Sequence, residues 1–222
     1  MITVVTGYVE LPNHPRPKRE YEQLVRKLFN IEHSVLLYKP ELEECWLHQY
    51  LCNSEQSCTH SVSDNPAKNT LGYHIVQAQK TQWIEKAWVE YPKTDVFVWI
   101  DAGIFHVPGV TAKIIDDFLA RAEGERAVTI PGCWPKGTYT YDDNHPCWRF
   151  CGGVMVVPKK YVVQFNDAMQ NEYVRWIEET GNVSWEVNTL ARLEERNPEF
   201  PLWWYAADHD QTLFTNYMGV RS

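Results

Sequence analysis

The sequence has no surplus of positive charge and no long apolar run. Its 222 residues carry 21 Lys and Arg against 29 Asp and Glu, a formal net charge of −8. Non-specific nucleic-acid binding requires clustered Lys and Arg, so it is not expected. The sequence has no apolar stretch of about 18 residues, the length needed to span a bilayer. The first residues, MITVVTGYVELP, lack the basic and small-residue features of a signal peptide. We expect a soluble, cytoplasmic protein with no membrane span.

Cysteine is also scarce, and no glycine-rich phosphate loop follows the first apolar run. Six cysteines are too few to hold a domain of this size together by disulfides, and none has CxxC spacing. Cys133, Cys147 and Cys151, with His145 nearby, match the spacing of no usual zinc finger or ribbon. We expect reduced thiols. The first run continues as TGYVELPNHPRPKRE, with proline where a nucleotidyltransferase would have glycine beside Lys or Arg.

Short apolar runs alternate with helical segments along the chain. The predicted strands are ITVVTGYV, HSVLLY, VFVWI, AVTIPG and GGVMVVP, and the predicted helices cover residues 21–29, 73–89, 111–122, 162–179 and 185–196. Strands rich in Val, Ile and Phe that alternate with amphipathic helices are typical of βαβ units. The sequence therefore predicts an α/β fold with a mostly parallel central sheet and helices on both faces. We expect one domain over residues 1–222.

Polar residues and glycines follow the predicted strands. In α/β sheets the ligand binds beyond the carboxyl ends of the strands. Asp101 interrupts the apolar run VFVWIDAGIF. Burying an unpaired carboxylate costs roughly several kcal/mol, so Asp101 is expected to face a cleft or a cation rather than the core. Gly103 leaves room for a ligand close to the backbone. Two polar loops, 54–69 and 137–145, are expected beside the cleft.

Several stretches together resemble a known family. GYHIVQAQKTQWIEKAW, VFVWIDAGIF and FCGGVMVVP occur in this order and are followed by SWEVNTLARLEERNPEF. This pattern, over about residues 3–216, is similar to the bacterial HtrL/YibB-like family of glycosyltransferases, which also occurs in viral genomes. The resemblance implies a GT-A fold and transfer of a sugar from a UDP- or GDP-linked donor to a hydroxyl of a glycan or other acceptor.

The resemblance also implies a metal site with one departure from the usual pattern. GT-A enzymes typically carry Asp-x-Asp after this strand, whereas here the second acidic position is Gly103. Mn²⁺ or Mg²⁺ would offset the charge of the diphosphate, and Mn²⁺ also accepts imidazole. The family pattern implies Asp101 and His209 as metal ligands, with Asp210 next to them as a further binding residue.

The family pattern gives roles to further residues, each of which also has an ordinary structural explanation. Glu186 stands at a predicted helix start, where the helix dipole favours a carboxylate, and in the family pattern it is the base that activates the acceptor hydroxyl. Lys80 would by default be solvated on its helix, and the pattern places it near the donor phosphates. The remaining predicted binding residues border the nucleotide or the sugar: Thr6, Tyr8, Gly103, Gly152 and Gly153.

These residues predict a metal-dependent glycosyltransferase. Two alternatives remain open at this point. One is a nucleotide-sugar hydrolase or nucleotidyltransferase that uses the same cleft and metal. The other is a carbohydrate- or nucleotide-binding protein that keeps the fold and has lost the chemistry, for which the missing second aspartate is the argument.

Overall fold

A computed structural model describes residues 1–12, 17–54, 57–140, 142 and 145–219. Parts of both predicted polar loops fall outside this range, namely residues 55 and 56 of the first loop and residues 141, 143 and 144 of the second. The described part of the first loop contains a short strand at Thr59–His60 and a 3-10 turn at Pro66–Lys68.

A six-stranded sheet forms the centre of the molecule. Its strands in chain order are β1 (Ile2–Gly7), β2 (Ser34–Tyr38), β4 (Val96–Ile100), β5 (Val128–Gly132), β6 (Val154–Pro158) and β8 (Leu202–Ala206). They lie side by side in the order β2-β1-β4-β6-β5-β8. The pairs β1–β2, β1–β4 and β5–β8 are parallel, and β6 runs antiparallel to both β4 and β5. A separate parallel pair joins β3 (Thr59–His60) to β7 (Asn182–Val183).

Helices cover both faces of the sheet. They are α1 (Lys18–Leu28), α2 (Trp46–Asn53), α3 (Leu71–Ala78), α4 (Lys80–Glu90), α5 (Ala112–Ala122), α6 (Val162–Thr180), α7 (Glu186–Arg196) and α8 (Thr212–Thr215). The described part of the chain has no helix with both the length and the apolar character that crossing a bilayer requires.

The central strand β4 shows why the sheet is covered on both faces. All five of its residues are buried, and they alternate between two cores as the two-residue period of a strand requires. Phe97 and Trp99 pack with α4 and α6, whereas Val98 and its neighbours on the other face pack with α1 and α5. The charge of Asp101 therefore follows a strand with no solvent-facing side.

The structure differs from the predicted elements in several places. The helix predicted over 73–89 is two helices, α3 and α4, which meet at Gln79. Three strands, β3, β7 and β8, and two helices, α2 and α8, were not predicted. Strand β8 (LWWYA) lies at the sheet edge with mixed burial, and its five residues are all apolar or aromatic, so the sequence did carry a strand signal there.

Candidate functional site

A cleft with two lobes lies at the carboxyl ends of β1 and β4. The lobe beside β1, of about 340 Å³, is the β1 lobe, whose lining includes Gly7, Tyr8, Tyr21, Trp99 and Gly103. The lobe beside α7, of about 380 Å³, is the α7 lobe, whose lining includes Trp148, Gly152, Gly153, Trp185 and Glu186. Each volume is in the range of small-molecule sites. Lys80, Asp101 and His209 line both lobes, so they lie where the lobes meet.

Asp101 is held in place by its own strand and by β6. Its backbone N–H donates to the Gly153 carbonyl at 3.0 Å. Its Oδ1 accepts from Trp99 Nε1 at 2.7 Å and pairs with Lys80 Nζ at 3.0 Å. The side chain is 38% exposed, and Oδ2 accepts no hydrogen bond from the described residues. Asp101 is therefore fixed through one oxygen and can offer the other to a ligand in the cleft.

The ammonium group of Lys80 is buried between two carboxylates. Only 3% of the side chain is exposed. Besides Asp101, Nζ donates to Glu186 Oε2 at 2.8 Å and to the Gly152 carbonyl at 2.9 Å. Burial opposes the charge, but the two carboxylates outweigh it and raise the pKa of Lys80 above its usual value. An ammonium has three N–H donors, and these three partners use them all.

Glu186 is the first residue of α7 and is nearly inaccessible, with 4% of its surface exposed. Its Oε1 is buried without a hydrogen-bond partner among the described residues. Burial raises the pKa of Glu186 to about 7, with Lys80 opposing the shift and Asp101 adding to it. A carboxylate with a pKa near neutrality and an unpaired oxygen can exchange a proton.

The other residues predicted for the site fall into two groups. Gly103, Gly152 and Gly153 line the cleft. Thr6 is fully buried, and Gly7 and Tyr8 provide the lining that follows it at the end of β1.

The carboxylate of Asp210 forms its hydrogen bonds outside the cleft. Its Oδ1 accepts hydrogen bonds from the backbone N–H, at 2.7 Å, and the hydroxyl of Thr212 at the start of α8. These bonds lower the pKa of the Asp210 carboxyl. This geometry gives Asp210 a structural role in the turn before α8.

The residues present could hold a metal only together with a substrate. No group of three or more His, Cys, Asp or Glu side chains close enough for a metal exists in the part of the chain that the structure describes. The His209 ring lies 5.5 Å from the His106 ring, and both line the cleft with Asp101. Mg²⁺ commonly binds through one or two carboxylates plus substrate phosphates. Asp101 fits this mode if a diphosphate supplies the remaining oxygens, and His209 would add an imidazole nitrogen in the case of Mn²⁺.

Several lining residues were not predicted from the sequence. They are Asn65, Lys68, Tyr73 and Gln77, which line both lobes, and Trp148, which lines the α7 lobe. Asn65 and Lys68 belong to the loop predicted beside the cleft. The sequence therefore located this loop correctly but did not indicate which of its residues line the cleft. For Trp148, the only sequence signal was a tryptophan outside the predicted strands and helices.

No known protein family and no curated protein sequence matches this chain, so membership of the HtrL/YibB-like family stays a prediction. Among solved structures, a glycosyltransferase involved in the glycosylation of the major capsid of PBCV-1 is similar with a TM-score of 0.51 and 17% identity, over 93% of this chain and 81% of that chain. The fold is GT-A-like. This confirms the predicted fold class, and at such identity the similarity concerns the fold alone.

Two further solved structures are more distant. Mouse xyloside xylosyltransferase 1 gives a TM-score of 0.46 and 6% identity, over 92% of this chain and 84% of that chain. The 4-diphosphocytidyl-2C-methyl-D-erythritol synthase of Anaerococcus prevotii gives a TM-score of 0.43 and 10% identity, over 98% of this chain and 89% of that chain. With TM-scores below 0.5, neither adds to the description of this chain.

The two adjacent glycines before β6, Gly152 and Gly153, should differ in how much an added methyl group lowers the stability of the fold. A Cβ at Gly152 would overlap the Glu186 carboxylate, whereas a Cβ at Gly153 would lie 3.6 Å from Asp101 Oδ2, an ordinary contact. Neither glycine has a positive φ. We expect Gly152→Ala to lower the free energy of unfolding by about 1–3 kcal/mol through overpacking, and Gly153→Ala to leave it within about 1 kcal/mol.

Urea denaturation of the two variants beside the parent checks this expectation. Equal stability of the two variants would show that Glu186 can move away from Gly152 without cost, and that the carboxylate is not fixed where the structure places it.

Proposed function

We propose that this chain is a metal-dependent glycosyltransferase that moves a sugar from a nucleoside-diphosphate sugar to an acceptor hydroxyl. The observation that carries the proposal is the position of Asp101, whose available oxygen lies where the two lobes of the cleft meet. A transferase must hold a donor and an acceptor with their reacting atoms in contact. One lobe for each, with a carboxylate between them, meets that requirement on a GT-A-like fold.

The β1 lobe suits the nucleotide. Tyr8 and Tyr21 lie with their ring centroids 5.2 Å apart and line this lobe, which provides aromatic surface for a base. The diphosphate would then lie near Asp101 and His209, which would hold Mn²⁺ or Mg²⁺ together with its oxygens. When bound, the metal would offset the negative charge that the diphosphate gains as it leaves.

Lys68 would place a second cation near the phosphates, beside Lys80. The three N–H donors of Lys80 already have partners within the protein. Lys68 lines both lobes on the half-buried side of its loop, and an ammonium there would attract phosphate oxygens. In this proposal Lys80 acts near the phosphates by fixing Asp101, which would contact the donor through its metal.

Glu186 has two candidate roles in the α7 lobe. It would take the proton of the acceptor hydroxyl at Oε1, which is unpaired, or it would act only as the counter-ion that keeps Lys80 in place. The first role is supported by the place of Glu186 in the lining of the α7 lobe, where the acceptor would bind.

Metal and nucleotide should stabilise the protein together through Asp101. With Mn²⁺ present and UDP or GDP at about 100 times its dissociation constant, we expect a gain of roughly 2.7 kcal/mol, seen as a rise in melting temperature. Mn²⁺ alone should give little, because the described residues offer too few ligands. Asp101→Asn should remove the Mn²⁺-dependent part of the shift, and Asp117→Asn, on the exposed side of α5, should retain it.

Thermal shift titrations of the three proteins measure this. An Asp101→Asn response equal to that of the parent would remove Asp101 from the metal site. Absence of any nucleotide response in the parent would count against the transferase itself.

Replacement of Glu186 by Gln separates its two roles. Gln retains the size of Glu but cannot take the proton, so we expect turnover to fall by roughly 10²- to 10⁴-fold if Glu186 is the base. Nucleotide binding should persist, since the β1 lobe is unchanged. The matched control is Glu195→Gln, an exposed residue on the same helix, which should turn over like the parent.

The measurement is release of UDP or GDP from a set of nucleotide sugars at saturating donor. Turnover of Glu186→Gln near that of the parent would leave Glu186 only its contact with Lys80. A parent that binds nucleotide and consumes no nucleotide sugar would be a binding protein on the same fold, the alternative in which the chemistry has been lost.

A further inference from the structure

We propose that Trp148 is the platform of the acceptor subsite and that the acceptor it binds is a sugar ring. The inference rests on the proposed glycosyltransferase function and adds to it the chemical class of the acceptor. Trp148 lines the α7 lobe, and 40% of its surface is exposed. Aromatic side chains of this size are normally buried, so an exposed indole inside a cleft has an unused apolar face.

The backbone on both sides of Trp148 is fixed to α7. On one side, the buried side chain of Asn188 accepts from the Cys147 N–H at 2.6 Å and donates to the His145 carbonyl at 3.0 Å. On the other, Arg149 donates to the two oxygens of Glu194 at 2.9 and 2.7 Å, and both side chains are buried. A residue on an exposed loop loses conformational entropy when it binds a ligand, and anchoring the loop beforehand reduces that loss.

The same helix that fixes Trp148 begins with Glu186. One rigid element therefore sets the position of the exposed indole relative to the carboxylate proposed to take the acceptor proton. A ring bound on Trp148 would be held in a constant relation to Glu186, which is the requirement for an oriented acceptor hydroxyl.

The rest of the α7 lobe favours a sugar over a lipid. A pyranose has an apolar face of C–H groups and a rim of hydroxyls, so it needs one flat apolar surface and several hydrogen-bonding groups. Besides Trp148, the lining contains a set of polar side chains from the loop before α3 and from α3 itself: Ser63, Asp64, Asn65, Lys68 and Gln77. A lipid acceptor would leave these groups without partners.

Saturation-transfer difference NMR tests the platform without relying on turnover. The probes are the methyl glycosides of glucose, galactose, mannose and xylose, with a Ser/Thr-containing peptide as the competing class, each added with UDP and Mn²⁺. We expect at least one glycoside to receive saturation through its ring C–H protons. Trp148→Ala should weaken that binding by roughly three- to tenfold, and Trp148→Phe should restore most of it.

The matched control is Trp134→Ala. Trp134 is a neighbouring tryptophan of similar exposure (36%) that is not among the described residues lining the two lobes. Its variant should bind glycosides like the parent. Equal glycoside signals in Trp148→Ala and the parent, or signals from the peptide and none from the glycosides, would overturn the platform. Nucleotide binding, measured by thermal shift on the same preparations, reports separately on the proposed function.

Discussion

The cleft depends on one buried ammonium group. Lys80 Nζ joins Asp101, Glu186 and the Gly152 carbonyl, which come from the end of β4, the start of α7 and the segment before β6. Without the ammonium, the buried carboxylate of Glu186 would lose its ion-pair partner and would face a second carboxylate, Asp101. Lys80 therefore holds the two carboxylates together where these three segments meet.

Aromatic packing holds Lys80 in turn. Trp83, one turn along α4, stacks on Trp99 of β4 with ring centroids 5.6 Å apart and planes within 13° of each other. The Lys80 ammonium lies 5.7 Å from the Trp99 ring, and Trp99 Nε1 donates to Asp101. The end of β1 permits this stack because it is a glycine: a Cβ at Gly7 would overlap the Trp83 ring. Helix α4 and strands β1 and β4 thus meet in a packing arrangement that supports the polar centre.

The sequence predicted the location of the site better than its internal contacts. Burying an unpaired carboxylate is costly, so a lone carboxylate after a fully apolar strand is expected at the end of that strand. This cost was enough to locate Asp101. The burial of Lys80 could not be predicted in this way. Helix α4 is weakly amphipathic, and the two carboxylates that pair with Lys80, Asp101 and Glu186, are 21 and 106 residues away along the chain. Asp210 shows the same limit, since an acidic residue near a cleft and one that stabilises a turn look alike until Thr212 is located beside it.

A double-mutant cycle on Lys80 and Glu186 tests the central role of the ammonium most directly. Urea denaturation would give the free energies of unfolding of the parent, Lys80→Met, Glu186→Gln and the double variant. Loss of one partner of a buried ion pair should cost Lys80→Met about 3–5 kcal/mol, and the double variant should recover part of that loss with a coupling of roughly 1–3 kcal/mol. If Lys80→Met were as stable as the parent, and its effect merely added to that of Glu186→Gln, the buried ammonium would not be what organises the cleft.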